Sequence, residues 1–219
     1  MIYSEKSQPA PASLAIEKAK ANGKYNGKDV WDRLVADFRH KCYICEYQQP
    51  SMQVEHFMPH QGNINLKFDW NNLFLACGHC NNTKLDKYDN ILNCTDKTHD
   101  VENRLKYTIK PFPKEKVQIE ALENSQKTTR TKDLLLAIYN GTTYLKQKEA
   151  EILINKLIDE VFDFQKYLLD YFKTDSEEDK NYFLIKIKNH ISPSSNFTAF
   201  KRWIIKDNPE LKKEFEQYF

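Results

Sequence analysis

No run of 18 apolar residues occurs in the chain, and a transmembrane helix needs roughly 20, so no membrane span is expected. The opening stretch MIYSEKSQPAPAS has no apolar h-region, so no secretory leader is expected either. A charge of one sign is also missing. The formal net charge is +2, Lys and Arg lead Asp and Glu by 15 to 13 over residues 1–110, and they balance at 18 to 18 over 111–219. Bulk charge therefore neither argues for a nucleic-acid partner nor excludes one. Internal repeats are absent. A disulfide framework is unsupported too: five cysteines are an odd count, and four of them fall into two Cys-x-x-Cys pairs. Without a leader, that pattern reads as metal binding in a reducing cytoplasm.

What the chain does have is 219 residues, 40% of them apolar and 29% charged, enough for a globular protein with a sizeable core. Chemistry concentrates between Cys42 and Lys84. Cys42/Cys45 and Cys77/Cys80 are separated by 31 residues, longer than the insert of a simple zinc ribbon. A Cys-x-x-Cys knuckle supplies two ligands, and two knuckles close a tetrahedral zinc site. The insert must then be a structural unit pinned at its base. Cys94 lies outside the pattern and reads as a small apolar residue.

Inside the insert, Met52–Phe57 alternates apolar and polar and stops before Pro59, predicting a short strand. Residues 60–69 read as a polar loop, Leu73–Ala76 as a second strand, and Asn81 to about Tyr88 as a helix. Glu55 and His56 are adjacent, so on a strand they point to opposite faces. His56 is a base suited to neutral pH. A carboxylate and an amide oxygen, Glu55 and Asn81, suit a hard ion such as Mg2+. Deprotonating water and neutralising phosphate charge are what phosphodiester hydrolysis requires. His60 and His79 are further imidazoles that either join a metal or sit in solvated loops.

These residues resemble the HNH endonucleases of the ββα-metal superfamily: Cys42-x-x-Cys45, Glu55-His56-Phe57-x-Pro59, Asn72-Leu73 and Cys77-x-x-Cys80-Asn81-x-x-Lys84, about a fifth of the chain. The resemblance implies a two-stranded ribbon and a helix around one catalytic ion, Mg2+ or Mn2+. It implies His56 as general base, Glu55 and Asn81 as holders of that ion, Asn72 as the residue that fixes the loop positioning His56, and Lys84 as a phosphate contact. Many members carry Asp or His at the place of Glu55, and Asn81 marks an HNN variant. A narrower likeness rests on Trp70–Leu73, Ala76-Cys77 and Thr131–Gly141. These look similar to the small HNH nucleases of bacterial anti-phage loci, among them the nuclease subunit of Septu systems and effectors beside some retrons. That likeness implies a DNA substrate, with RNA as the alternative, and a partner ATPase of the ABC/SMC-like kind. Two rival readings remain: a zinc-stapled binding module without turnover, and a free-standing restriction or homing nuclease. The latter lacks a basic, aromatic-interleaved surface in the sequence.

The expected fold is mostly α, with a small zinc-stapled ββα-metal module and a C-terminal helical bundle. It divides into 1–40 (arm and helices), 41–110 (nuclease module) and 111–219 (helical region, partner docking). Residues 1–12, biased to Pro, Ala and Ser, read either as an arm that orders on contact or as a frayed terminus. A helix is expected over 13–21, and another, capped by Asp29, to about His40. Arg33 and Arg39 lie off its apolar stripe and read as a solvated face or as phosphate contacts. Residues 90–125 look irregular, with Pro111, Pro113 and one strand near Val117. Helices follow from Thr131 to Asn140, from Thr143 to about Phe172 with Leu145 and Ile152 in the stripe, from Ser176 to Ile191, over 197–205, and from Pro209. Phe215, Tyr218 and Phe219, crowded at the end, are expected as exposed anchors for the partner.

Overall fold

The computed structural model describes residues 1–110 and 116–219; Pro111 and Pro113 lie outside them. The N-terminal part carries α1 (Ala12–Lys18) and α2 (Lys28–Asp37). The stapled insert follows as β1 (Met52–His56), a single turn α3 (Ile64–Lys67), β2 (Leu73–Cys77) and α4 (Gly78–Lys84). Next come α5 (Val101–Arg104), β3 (Leu105–Thr108) and β4 (Gln118–Ala121). The rest is helical: α6 (Gln126–Asn140), α7 (Tyr144–Lys173), α8 (Glu177–Ile191), α9 (Thr198–Lys206) and α10 (Pro209–Phe215). No described helix is long and apolar enough to cross a membrane.

Both sheets are antiparallel hairpins of two strands, β1 with β2 and β3 with β4. The first sets Glu55 opposite Phe74 and His56 opposite Leu73. Every residue of β2 is buried, so β2 is the inner strand and β1 the outer. The second sheet includes β3, which the alternating Leu105-Lys106-Tyr107-Thr108 could have signalled: Leu105 and Tyr107 are buried, Lys106 and Thr108 half-buried.

Caps explain where the long helices begin. The hydroxyls of Thr143 and Ser176 accept from the Lys146 and Asp179 amides, and Asn208 caps α10 with Pro209 at its first position. Thr131 is not a cap. Helix α6 starts five residues earlier, under Ser125, and the Thr131 hydroxyl donates to the Lys127 carbonyl and accepts from the Leu92 amide at 2.8 Å. Asp29 lies inside α2 and ties α1 to it by accepting from the Ser13 hydroxyl at 2.6 Å.

One core runs from Met1 and Ile2 through the insert to Phe197 and Phe200. The segment 1–12 is therefore docked: Met1 and Ile2 are buried and the Met1 ammonium pairs with buried Glu46 at 2.7 Å. Arg33 and Arg39 point at it, Arg33 onto the Ser7 hydroxyl and Pro9 carbonyl, Arg39 onto the Ser4 hydroxyl. They serve neither as a free solvated face nor as open phosphate contacts. A smaller cluster joins Phe164 and Leu168 of α7 to Ile187 and Ile191 of α8, Ile205 of α9 and Phe215 of α10.

Two expectations about burial fail. Leu145 and Ile152 are 73% and 69% exposed, because the inward face of α7 runs through Leu153, Leu157, Val161, Phe164 and Leu168; Ile152 is rotated about 100° from Leu153. Phe215 is fully buried, its ring 5.2 Å from that of Tyr171, and Phe219 packs against the same cluster. Neither is an exposed anchor; of the three, only Tyr218, at 37%, is classed as exposed. Phe215→Ala should therefore cost about 3–5 kcal/mol of stability in urea unfolding of the full chain; a loss under about 1 kcal/mol contradicts its core position.

Candidate functional site

The four cysteines of the two knuckles are buried, and their ligand atoms all lie within 4.8 Å of one another, with the Cys45 and Cys77 sulfurs 4.0 Å apart. Tetrahedral zinc with Zn–S bonds of about 2.3 Å sets its sulfurs about 3.8 Å apart, so the donor set fits a zinc ion in chemistry and size. Cys77 is held far down as a thiolate by hydrogen bonds from Cys42, Cys45 and Cys80. Hydrogen bonding to Cys42 first and Cys77 second pushes the Cys45 thiol up, and burial pushes up that of Cys80. A bound dication is what allows four clustered, buried thiols to ionise together. Among the described residues this is the single group of three or more His, Cys, Asp or Glu placed to hold a metal. Cys94 is buried elsewhere, its thiol pushed up to about 12 by burial.

The knuckles set the ends of the hairpin: Cys77 closes β2 and caps α4, its sulfur accepting from the Cys80 amide. Helix α4 then crosses β1, and its i, i+3 spacing lays two side chains over two alternate strand residues. The Asn81 amide nitrogen donates to Gln53 Oε1 at 2.7 Å, and Lys84 Nζ donates to Glu55 Oε1 at 2.6 Å. Lys84 is fully buried and also reaches the His56 carbonyl at 3.2 Å. It does not face phosphate, because the crossing of α4 over β1 turns it inward. Glu55 is 5% exposed, and its Oε2 has no hydrogen-bond partner. Burial raises its pKa to about 7 against the opposing pull of Lys84. The carboxylate expected at a metal is thus locked in an interior ion pair.

His56 leaves on the other face of β1, half-buried. Its Nε2 lies 3.1 Å from the Lys67 carbonyl. A carbonyl only accepts, so Nε2 carries the proton and Nδ1 keeps the lone pair. Burial lowers the His56 pKa, assisted by His60, Lys84 and Lys67, which favours the neutral base. The rings of Tyr25 and His60 stand edge-on at 4.5 and 4.7 Å.

Asn72 is buried and spans the loop between the strands. Its Oδ1 accepts from the Met58 amide at 2.7 Å, and its Nδ2 donates to the Met58 and Leu66 carbonyls at 2.9 and 3.1 Å. The Leu66 carbonyl is one residue from the Lys67 carbonyl that orients His56. The remaining histidines are occupied: His60 Nδ1 accepts from the Gly62 amide, and His79 bridges Glu149 and the Ile138 carbonyl at 2.7 and 2.9 Å. His79 is thus a strut from α4 to α6 and α7.

The surroundings of His56 come partly from residues that no motif marks. A groove of about 550 Å3 runs between β1, Asn81 and the segment carrying Tyr25, Asn26, Lys28 and Trp31; His56 does not line it but stands beside it, against the Tyr25 ring. Tyr25 reaches His56 by tertiary folding alone, and the lone sequence hint is a lysine-rich stretch around an aromatic, Lys18 to Lys28.

Residues 42–87 match the HNH endonuclease family. The chain is also similar to the Septu protein PtuB of Bacillus thuringiensis, 33% identical over 87 residues, 34% of this chain and 34% of the relative. The match thus spans about a third of that relative's length. Residues 42–87 are an HNH endonuclease domain by this match, and the chain resembles the Septu protein over about a third of its length.

Two outcomes follow from this geometry. Elemental analysis should find about one zinc per chain, lost on Cys80→Ser; folded protein free of zinc contradicts the assignment. Lys84→Met leaves a buried carboxylate unpaired and should cost about 3–5 kcal/mol in chemical unfolding, much of it regained in Glu55→Gln/Lys84→Met. A single variant as stable as the double one would contradict the buried pair.

Proposed function

We propose that this protein is a metal-dependent HNH endonuclease that hydrolyses phosphodiester bonds of nucleic acid, DNA before RNA. The reading is supported above all by His56: a half-buried imidazole at the end of a zinc-stapled hairpin, its Nε2 donating to the Lys67 carbonyl and its Nδ1 left as acceptor. In this reading Nδ1 takes a proton from water as the water oxygen bonds to phosphorus and the P–O3′ bond breaks. Asn72 holds the loop whose carbonyl aims the ring. Removing such a base typically costs about 10²–10⁴ in rate. A hard divalent cation, Mg2+ or Mn2+, would supply charge neutralisation at the phosphate and the leaving oxygen; the Asn81 carbonyl oxygen would hold it, and Glu55 would join only by leaving its interior pair with Lys84. Lys84 is assigned to holding Glu55 and the His56 carbonyl rather than to phosphate. The Tyr25–Trp31 groove is the surface we assign to the strand being cut.

The cellular role we infer is effector nuclease of a bacterial anti-phage system, in the cytoplasm, working with an ATPase subunit of the ABC/SMC-like kind. Resemblance to a Septu protein supports it. So does the outer face of α7, where Phe162, Leu169 and Phe172 are 66%, 51% and 55% exposed and take over the docking role expected of Phe215.

Wild-type and His56→Ala proteins, both zinc-loaded and each with and without the co-expressed ATPase, should be compared on DNA and RNA with Mg2+ or Mn2+. The expected result is cleavage by the wild type and a loss of about 10²-fold or more in the variant. Equal rates refute His56 as base. Binding without cleavage by the wild type in the partner complex favours the zinc-stapled binding module.

A further inference from the structure

A residue that grips the catalytic loop lies outside the HNH match. Lys6 Nζ donates to the carbonyls of Trp70 and Leu73, on either side of Asn72, and sits over the Trp70 ring at 3.6 Å. Its neighbours grip the same turn: the Ser7 carbonyl accepts from Trp70 Nε1 at 2.8 Å, and Gln8 donates to Asn71 Oδ1 at 3.1 Å. The arm is itself anchored from behind. Asp37 accepts from the Ser7 amide at 3.0 Å and from its hydroxyl at 3.1 Å, and the Ser4 amide donates to the Cys94 carbonyl at 2.9 Å.

On the far side of the turn, contacts continue without a break. The Asn72 carbonyl accepts from the Phe57 amide at 2.9 Å, next to His56. The Asn72 side chain ties Met58 to Leu66, and the following carbonyl, that of Lys67, orients the His56 ring. The three-residue turn Trp70–Asn72 thus has the arm on one side and the catalytic loop on the other. The two carbonyls that Lys6 takes belong to Leu73, next to the loop-fixing asparagine, and to Trp70, two residues before it.

We propose that Lys6 is a positioning residue of the nuclease: by clamping the carbonyls of Trp70 and Leu73 it fixes Asn72, and through Asn72 the loop that aims His56. This rests on His56 being the general base. Burial drives the Lys6 pKa down to about 7, against Asp37 and Asp69, so the amine is kept there at an electrostatic cost that solvation of two loop carbonyls by water would not carry. The clamp also gives the docked segment 1–12 a role that core burial of Met1 and Ile2 does not explain. Ser7 and Gln8 are polar, and the Ser7 carbonyl and the Gln8 side chain both grip that turn.

The test uses full-length, zinc-loaded protein. Lys6→Met keeps the stem over Trp70 and removes the donors; Lys6→Arg keeps donors. Hydrogen exchange is read over residues 57–73, with β3 and β4 as internal control, alongside kcat and KM. Lys6→Met should speed exchange at the Phe57 and Met58 amides by about tenfold or more while the control is unchanged. It should lower kcat by about 10- to 100-fold at near-constant KM, as loss of aim does, and Lys6→Arg should recover part of both. Should Lys6→Met fail to fold, Asp37→Ala frees the arm without touching the loop and should shift the same exchange in the same direction. Unchanged exchange over 57–73 in the folded variants overturns the proposal, as does a loss confined to KM. If the wild type cleaves no nucleic acid, exchange still decides on Lys6 and the nuclease reading alone falls.

Discussion

Four buried sulfurs within 4.8 Å of one another are the constraint on which the rest of this molecule depends. They join two knuckles that are 31 residues apart in the chain, and the backbone around them meets the N-terminus, α6 and the segment that opens α9. The Tyr139 hydroxyl of α6 donates to the Cys45 carbonyl at 3.0 Å. The Phe197 and Ala199 amides reach the backbone and carboxylate of Glu46 at 3.1 and 2.9 Å, and the Met1 ammonium takes the other Glu46 oxygen. The Lys41 ammonium crosses to the Ser195 carbonyl at 2.6 Å. A small hairpin with little core of its own is thereby made rigid by helices that carry no chemical signature. Rigidity is what the base proposed at the end of this short strand requires.

The hairpin also explains why Glu55 and His56, adjacent in sequence, meet such different fates. Alternation along β1 sends Glu55 inward under α4, where Lys84 answers it, and sends His56 out to the loop carbonyl and Tyr25. Lys84 touches both residues, the carboxylate of one and the carbonyl of the other. A buried pair of this kind contributes little net stability, but breaking half of it is costly. Its effect is to fix the angle between helix and strand, and with it the place of Asn81 beside Gln53.

Much of this was legible in the sequence because local rules decide it. Cys-x-x-Cys pairs, the alternation of 52–57 ended by Pro59, the helix starts at Thr143 and Ser176, and Pro209 at a first helical position each carry their own geometry. What was not legible was decided between segments. Which way Lys84 points depends on the crossing of α4 over β1. Whether Phe215 is buried depends on α10 folding against α7, and whether 1–12 is ordered depends on acceptors at Trp70, Leu73 and Asp37. Periodicity places an apolar stripe on a helix, but not which flank of a wide stripe meets a neighbour, so Leu145 and Ile152 were misassigned while Leu153 and Leu157 were not.

If the cysteine centre is the common anchor, metal removal must be felt well beyond the hairpin. The direct measurement is a chelator titration of the full chain followed by hydrogen exchange in every segment. Loss of zinc should release residues 42–47 and, in the same step, the start of α9 at Thr198–Arg202 and the Tyr139 turn of α6. Loss of protection confined to 42–87, with α6 and α9 unaffected, would contradict it.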